Sequence, residues 1–145
     1  MSGIEVDPEV ATLFNNMKLR STNKYATFRI KDKKIVIVDE LGEPCKTEEK
    51  EKDKECFDVL KATLKKEPRY ILYDFGFTNK EGRKIGKLAF IFWCPEDCKI
   101  GDKMIYASTK DTVKKAFTGI GLEFQANDAG DMDYNEFHGD VEKKA

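Results

Sequence analysis

The spacing of apolar residues in the first third of the chain changes from a helical period to a strand period. An Asp-Pro pair at residues 7–8 provides a helix cap and a first helical position. The apolar residues that follow it at helical spacing are Val10, Leu13, Phe14 and Met17. Residues 24–30 and 33–40 are rich in aromatic and β-branched side chains. They are joined by an Asp-Lys pair at 32–33, so we predict two strands with a turn between them.

The middle of the chain predicts one charged helix followed by two apolar strands. Residues 47–67 form an amphipathic pattern with a heavily charged outer face, and Pro68 should end it. The apolar stripe of this helix consists of Cys56, Val59, Leu60, Thr63 and Leu64. Residues 69–77 and 87–93 are strongly apolar and aromatic, as central strands are. The segment between them is rich in lysine and arginine, and we expect it to form a basic hairpin loop.

The last third of the chain predicts a long helix over 103–117, a short strand over 121–126, and a weak helix interrupted by Gly139. Gly82 and Gly86 are the predicted turn residues of the basic hairpin. The element order α-β-β-α-β-β-α-β-α predicts an α/β chain of the α+β type, with a mostly antiparallel sheet covered by helices on both faces. A helical crossover joins the last two strands, so we expect that pair to be parallel.

The long helix has an apolar arc that decides which of its residues face outward. On a wheel of about 100° per residue, the arc contains Ile105, Tyr106, Thr109, Val113, Ala116, Phe117 and Ile120. Burying each large member is worth about 1.5–3 kcal/mol, whereas an exposed lysine contact is worth only about 0–1 kcal/mol. Met104 then lies roughly 160° from the centre of the arc and faces solvent. Its neighbours on the outward face are Lys103, Lys114, Lys115, Ala107 and Ser108.

One exposed methionine needs no functional explanation, because single apolar residues are common on protein surfaces. A soft methionine beside small residues and fixed positive charge is, however, typical of a flat protein-docking face. Both interpretations remain open from the pattern alone.

The charge of the chain is distributed unevenly. With 145 residues, 40% hydrophobic and 37% charged, the composition predicts one globular domain over residues 1–145. The net charge is −1, so the protein as a whole is not a polyanion binder, and we expect no nucleic-acid partner. Residues 103–117 carry four lysines and one aspartate, whereas the chain from Glu123 onward carries seven acids and two lysines. An acidic partner could therefore be steered to the helix.

Residues with catalytic or metal-binding chemistry are sparse. The single histidine, His138, lies in the weakly structured acidic tail, where we expect it to be solvated. Cys94 and Cys98 lack the second pair of ligands that a zinc site needs. No glycine-rich phosphate-binding run is present, and the acids of the tail lack calcium-loop spacing. We therefore expect neither an enzyme, nor a metal site, nor a cofactor.

The cysteines and the start of the chain bear on the compartment. The four cysteines are Cys45, Cys56, Cys94 and Cys98. The first residues lack the basic start and apolar run of an export signal, so we expect free thiols in a reducing cytosol or nucleus. No apolar run approaches the ~18 residues that a membrane span needs, so we do not expect this chain to be an integral membrane protein.

Residues 93–128 read WCPEDCKIGDKMIYASTKDTVKKAFTGIGLEFQAND and closely resemble the signature of the actin-depolymerising factor/cofilin family. That signature is a Trp-x-Pro turn, a Lys-Met-Ile/Val/Leu-Tyr-Ala/Ser-Ser run, a Lys-Asp pair, a dibasic pair and a Leu-Gln-Ala-like strand. Residues 2–6, the run YILYDF at 70–75 and the run FIFW at 90–93 are similar to the family as well. The resemblance implies the ADF-homology fold, a five-stranded mixed sheet sandwiched between helices.

The resemblance also implies a function and a set of contacts. Members bind actin monomers and filaments, depolymerise and sever the filament, and insert the long helix between actin subdomains 1 and 3. The implied monomer contacts are Ser2, Gly3, Ile4, Val6, Lys103, Met104, Lys110, Lys114 and Lys115. The implied filament contacts are Lys80, Arg83, Lys84, Lys87 and Lys143, with the C-terminal helix. We expect a monomer in the cytoplasm and cytoskeleton, with the nucleus as an alternative location.

Two regulatory properties follow from the same resemblance. Ser2 corresponds to the N-terminal serine whose phosphorylation blocks actin binding in the family, and the added charge of about −1.5 to −2 would repel an acidic surface. Members also bind phosphatidylinositol bisphosphate through basic residues that overlap the actin site. The implied phosphoinositide contacts are Lys110, Lys114 and Lys115.

The chain departs from the family at two places. Gly101 and Asp102 occupy a segment where members usually carry a basic residue, and Gly139-Asp140 replaces a Glu-Arg pair of several members. We therefore expect weaker filament attachment and weaker severing, with monomer binding better retained. The alternatives are a coactosin-like filament binder that does not sever, and a lipid- or nucleic-acid-binding module. The complete Lys-Met-Ile-Tyr-Ala-Ser run argues against the first alternative, and the absence of aromatic residues beside the outward lysines argues against base stacking.

Overall fold

The computed structural model confirms the predicted alternation of helices and strands and adds one short strand. It describes residues 3–20, 22–43 and 50–144. The predictions for Ser2, for Cys45 and for the first three residues of the helix over 47–67 therefore lie outside the described residues. The elements are β1 (Glu5–Val6), α1 (Pro8–Arg20), β2 (Tyr25–Lys31), β3 (Ile35–Leu41), α2 (Lys50–Thr63), β4 (Arg69–Thr78), β5 (Lys84–Trp93), α3 (Ile100–Ala116), β6 (Glu123–Ala126) and α4 (Tyr134–Lys144), with a 3-10 turn (Ala129–Asp131) before α4.

The described strands form one mixed sheet in the order β1-β3-β2-β4-β5-β6. The four central strands are antiparallel, and β6 is parallel to β5, as the predicted crossover requires. β1 runs parallel to β3, with Glu5 opposite Ile35 and Val6 opposite Val36. The sheet thus has six described strands rather than the five we expected. A two-residue strand is too short to give an alternating pattern, which is why β1 was missed.

Two apolar clusters lie on opposite faces of the sheet and fix the helices. On the first face, the ring of Phe117 lies 5.3 Å from Phe14 of α1, 5.5 Å from Phe28 and 5.5 Å from Phe90. On the second face, the ring of Phe57 in α2 lies 5.2 Å from Tyr73 and 5.6 Å from Tyr134 of α4. The sheet is therefore covered by α1 and α3 on one face and by α2 and α4 on the other.

The two predicted hairpins differ in how well the sequence located their turns. Asp32 and Lys33 have φ values of 53° and 57°, which confirms the turn between β2 and β3. Gly82 has φ 81° and is a turn residue of the β4–β5 hairpin. The prediction for Gly86 is wrong, because this glycine lies inside β5 opposite Gly76. A Cβ atom at Gly86 would come 2.7 Å from Oδ1 of Asp74, so the close approach of that carboxylate explains the glycine.

The buried face of α2 coincides only in part with the apolar stripe that we predicted. Leu60 is fully buried and Leu64 packs against the core, as predicted, but Val59 is 59% exposed, and Phe57, which lay outside the predicted stripe, is fully buried. Asp53, one of the many charged residues of this helix, is also fully buried. An isolated carboxylate would not tolerate this position, so its partners decide how the helix faces the sheet.

Asp53 is buried because four groups satisfy its carboxylate. Lys24 Nζ lies 2.5 Å from Oδ1, and the Tyr134 hydroxyl donates to Oδ2 at 2.5 Å. The Tyr73 hydroxyl and the Gly76 backbone N–H also donate to it, each at 3.1 Å. One acidic side chain thus joins α2 to α4, to β4 and to the residue before β2.

The C-terminal helix is continuous, which corrects two predictions. α4 runs through Gly139 without interruption, since Tyr134, Phe137 and Val141 bury one of its faces. His138 is only 4% exposed and is not a solvated tail residue. The weak apolar pattern of the tail hid both facts, because the buried face of α4 includes the polar ring of this histidine. Among the described residues, no helix has the length and apolar character required to span a membrane.

Asp74 should make the stability of the fold depend on pH. Burial raises the pKa of Asp74 to about 6; Lys24 opposes this rise and Asp53 adds to it. A carboxyl group with a raised pKa in the folded chain costs stability once it ionises, so stability should fall between about pH 4 and pH 6.

We expect Asp74→Asn to remove this loss. Its stability relative to wild type should be about 1–3 kcal/mol more favourable at pH 7 than at pH 4, measured by urea denaturation at both values. Asp58→Asn, at an exposed position on α2, controls for the removal of a carboxylate. An equal change at the two pH values would contradict the raised pKa.

Candidate functional site

The rotation of α3 is fixed by its buried side chains, as the apolar arc predicted. Val113 and Thr109 are fully buried, and Tyr106 is 7% exposed. The Tyr106 side chain accepts a hydrogen bond from the Ile30 backbone N–H at 2.9 Å. The Tyr70 hydroxyl donates to the Tyr106 carbonyl at 2.6 Å. These contacts tie the helix to β2 and β4, so its opposite face is turned away from the sheet.

The outward face of α3 begins with two exposed apolar side chains. Met104 is 67% exposed, as predicted. Ile100, one turn earlier at spacing i, i+4, is 75% exposed. The sequence prediction missed Ile100 because it began the helix at 103, whereas α3 begins at Ile100. The spacing of four residues between Ile100 and Met104 was the signal that could have identified it. Ala107 and Ser108 are exposed on the same helix.

The four lysines of α3 have different surroundings. Lys103 Nζ donates to the Glu96 carbonyl at 3.3 Å, and Lys115 is exposed. Lys110 and Lys114 both pair with Glu123 of β6, at 3.4 Å and 3.3 Å. The pairing arises because β6 lies parallel to β5 and brings Glu123 alongside the helix.

The pKa of Glu123 reflects these two lysines. Burial alone would raise it, but the hydrogen bonds and charges of Lys114 and Lys110 outweigh burial, so the pKa of Glu123 lies below its ordinary value. Half of the predicted basic charge of the helix is therefore shared with a neighbouring carboxylate.

The N-terminal segment is attached to the sheet close to α3. Glu5 donates its backbone N–H to the Lys34 carbonyl at 3.0 Å. Gly3 is exposed and has φ 75°, and Val6 is half-buried. Ile4 is 9% exposed and belongs to the apolar cluster under α1 and α3. It anchors the segment in the core.

The predicted filament contacts lie around the β4–β5 hairpin and the end of α4. Lys80, Arg83 and Lys143 are exposed, and Lys87 is half-buried. Lys84 is the first residue of β5. The hairpin loop is shorter than predicted, and Asn79 Oδ1 stabilises it by accepting from the backbone N–H groups of Glu81 and Arg83. A groove between hairpin and helix is lined by Phe77, Lys80, Glu81, Ile85, Glu142 and Lys143.

The residues with metal or redox chemistry form no metal site in the described part of the chain. No group of three or more His, Cys, Asp or Glu side chains that could hold a metal ion occurs among those residues. Cys56, Cys94 and Cys98 are thiols rather than disulfides. Burial raises the pKa of the Cys94 thiol, and the neighbouring Cys98 raises it further.

The departures at 101 and 139 are not required by packing. A Cβ atom at Gly101 would meet no atom within 4 Å, and the same is true at Gly139. A Cβ atom is therefore tolerated at both positions. The glycines therefore change the charge and propensity of the surface without serving the core.

Comparison with known proteins identifies the family. A family model described as cofilin/tropomyosin-type actin-binding protein matches residues 3–142, and the chain belongs to this family. The chain is 40% identical to the cofilin of Schizosaccharomyces pombe over 134 residues, which cover 92% of this chain and 90% of that protein.

Solved structures confirm the expected fold. The crystal structure of Plasmodium berghei actin depolymerization factor 2 matches with a TM-score of 0.78 at 29% identity, covering 99% of this chain and 96% of that one. The coactosin of Entamoeba histolytica matches over 100% of both chains with a TM-score of 0.77 at 20% identity. That second likeness concerns the fold alone.

The hydrogen bond to Tyr106 should be measurable as stability. Tyr106→Phe leaves the Ile30 N–H without its partner, so we expect unfolding to become easier by about 1–3 kcal/mol, measured by urea denaturation. Ser108→Ala is the control, because it removes an exposed hydroxyl of the same helix that donates to the Ile105 carbonyl at 3.0 Å and leaves no backbone N–H without a partner. A loss in Tyr106→Phe no larger than that in Ser108→Ala would contradict the role of this contact.

Proposed function

We propose that this chain binds actin monomers and filaments and promotes filament depolymerisation and severing. It acts as a single-domain monomer over residues 1–145, in the cytoplasmic cytoskeleton, by binding rather than by catalysis. The observation that carries the proposal is the exposed apolar pair Ile100 and Met104 on a helix whose other face is locked in the core.

The outward face of α3 has the composition of a docking surface. Its centre is apolar and small, with Met104 beside Ala107 and Ser108, and an unbranched thioether adapts readily to a cleft. Lys103 and Lys115 lie on the same helix and suit an acidic rim on the partner. The monomer-contact set proposed from the family is retained, with Ile100 added and with Ile4 acting as the anchor of the N-terminal segment.

Ser2 is proposed as the regulatory phosphorylation site. The residues that follow it are attached to the fold, because Ile4 is buried in the core and β1 is paired with β3. A phosphate of charge about −1.5 to −2 on that segment would oppose an acidic partner approaching α3.

Filament contact is proposed for the hairpin and the end of α4, through Lys80, Arg83, Lys84, Lys87 and Lys143. Asp140 adds negative charge to the same helix, and Gly139 lowers its helix propensity by up to about 1 kcal/mol. We infer that filament attachment and severing are weaker than in a typical member, and that monomer binding is better retained.

Phosphatidylinositol bisphosphate remains a secondary partner in this proposal. Of the three lysines that the family resemblance implies, Lys110 and Lys114 share the Glu123 carboxylate. Their charge is partly neutralised, so of the three implied contacts only Lys115 offers an unshared charge to a lipid headgroup. The other alternative is a coactosin-like role, in which the protein binds filaments without severing them. The length of actin filaments after mixing with the protein distinguishes the two roles, because only severing shortens the filaments.

Monomer binding should depend on the outward face of α3. Met104→Ala and Lys114→Glu should each weaken monomer binding at least tenfold, because they remove about 1.5–3 kcal/mol of apolar burial or reverse a charge at the contact. Pyrene-actin disassembly and monomer titration measure the effect. Val59→Ala removes an exposed apolar side chain from α2 and serves as control. Unchanged disassembly by both α3 variants, with the fold intact, would overturn the proposal.

Filament attachment should be weak and sensitive to salt. Cosedimentation of the wild type should fall as ionic strength rises, because exposed charges are screened over about 8–10 Å at 0.1–0.15 M salt. The double variant Gly139→Ala/Asp140→Arg should pellet several-fold more strongly than the wild type. Asp58→Arg makes the same charge change on α2, away from the proposed filament contacts, and serves as the control that should not show this gain. Tight, salt-resistant pelleting of the wild type would contradict this expectation.

A further inference from the structure

Glu123 is an acidic residue that pairs with two lysines of the proposed monomer-contact set. Its Oε1 atom lies 3.4 Å from Lys110 Nζ, and its Oε2 atom lies 3.3 Å from Lys114 Nζ, so each oxygen serves a different lysine. Lys110 and Lys114 are one turn apart on α3 and therefore face β6 together. The acidic partner proposed for α3 would use the same two ammonium groups.

The alternation of side chains along β6 puts Glu123 on the α3 side of the sheet. Phe124 points to the opposite face, where its ring stacks on Phe137 of α4 with centroids 4.4 Å apart. Leu122 belongs to the buried cluster against which Phe124 packs. Because successive side chains of a strand point to opposite faces, Glu123 points towards α3. The register of β6 on β5, with Glu123 opposite Phe90, holds the carboxylate beside the helix.

The two lysines depend on Glu123 to different degrees. Lys110 is the more covered of the two, with 26% of its side chain exposed, and its Nζ lies 5.8 Å from the centre of the Phe92 ring. This cation–π contact gives Lys110 a second partner besides Glu123. Lys114 is 41% exposed and donates a hydrogen bond to Oε2 of Glu123 at 3.3 Å. Lys114 is therefore the lysine that an approaching partner reaches more easily.

Glu123 lowers the positive charge that α3 can offer to a partner. Residues 103–117 carry four lysines and one aspartate, a net charge of +3, and Glu123 reduces this to +2. Burial alone would raise the pKa of Glu123, but Lys114 and Lys110 lower it below its ordinary value, so the carboxylate is charged at neutral pH. An approaching acidic group therefore meets repulsion from Glu123 as well as attraction from the lysines.

We propose that Glu123 is an internal competitor, which occupies Lys110 and Lys114 and thereby limits the affinity of α3 for its acidic partner. The inference rests on the proposed function, in which that partner is the actin monomer. On binding, an acidic group of the monomer displaces Glu123 from Lys114, while Lys110 stays on the Phe92 ring and keeps its contact with Glu123. Binding at Lys114 thus exchanges one ion pair for another. The lysines are contacts whose loss weakens binding, whereas the loss of Glu123 should strengthen it.

Removing the charge of Glu123 should strengthen monomer binding. We expect Glu123→Gln to bind actin monomers about twofold to fivefold more tightly than the wild type, because it frees lysines from ion pairs of ordinary surface strength. Titration of labelled, polymerisation-blocked actin monomers measures the affinity. Glu136→Gln removes an exposed acid from α4, makes the same change in net charge, and should leave the affinity unchanged. If Glu123 merely oriented the lysines, Glu123→Gln would bind more weakly; that result, or an unchanged affinity, would overturn the proposal.

Two further variants and a salt series locate the effect at Lys114. Glu123→Asp keeps the negative charge beside α3, so it should bind no more tightly than the wild type. When Lys114→Gln is already present, removing the charge of Glu123 should give a smaller gain, because the lysine to be freed is missing. The gain should also shrink as salt rises from about 0.05 M to about 0.5 M, because exposed charges are screened. An equal gain with and without Lys114 would contradict displacement from this lysine.

Retention on a heparin column at low ionic strength tests the competitor without actin. Glu123→Gln should elute at higher salt than Glu136→Gln, although both variants have the same net charge, because the freed lysines attract the polyanion. Identical elution of the two variants would overturn the inference while leaving monomer binding by the wild type intact. A wild type that binds no actin monomers would instead overturn the proposed function, even if Glu123→Gln is retained more strongly on heparin.

Discussion

The burial of one arc of α3 is the constraint on which the proposed partner-binding surface depends. Val113 is fully buried, Phe117 at the end of the helix is surrounded by aromatic rings from α1, β2 and β5, and Tyr106 is tied by hydrogen bonds to β2 and β4. Rotating the helix to cover Met104 would expose several large side chains at about 1.5–3 kcal/mol each. No surface ion pair of the helix could offset that cost. The exposed Ile100–Met104 pair therefore follows from the core beneath it.

The two faces of the sheet carry different kinds of constraint. Under α1 and α3 an apolar cluster is supplemented by the hydrogen bonds of Tyr106 to β2 and β4. Under α2 and α4 a polar cluster around Asp53 and His138 lies within the aromatic core. Buried polar groups need all their partners, so that cluster links α4 to the sheet in one arrangement. The proposed monomer surface thus rests on packing, whereas the position of α4, beside the proposed filament contacts, rests partly on buried hydrogen bonds.

The sequence predicted the features that follow from local period and turn chemistry. The rotation of α3, the parallel β5–β6 pair and the turn at Asp32 were all confirmed. The sequence-based prediction was wrong where the burial of a residue depends on partners that are distant in the chain. Asp53 looked like a surface acid, because Lys24 and Tyr134, which satisfy it, are far away in the chain. His138 looked solvated for the same reason, since its partner Gly76 lies on β4.

Three further errors have local causes. The sequence did not predict β1, because two residues are too few to show an alternating pattern and its partner strand β3 lies about thirty residues further along the chain. Gly86 resembled a turn residue because a strand glycine and a turn glycine look alike until the Asp74 carboxylate is placed over it. Ile100 was missed because helix ends are read less reliably than helix interiors.

Methionine oxidation tests the central claim, that the outward face of α3 meets the partner, most directly. Met104 is 67% exposed, whereas Met17 and Met132 are 1% and 2% exposed and provide internal controls. Mass spectrometry after brief peroxide treatment should find Met104 oxidised rapidly in the free protein and protected when actin monomers are in excess, with Met17 and Met132 slow in both. Oxidation of Met104 at the same rate with and without actin, or faster oxidation of Met17 and Met132, would contradict the account.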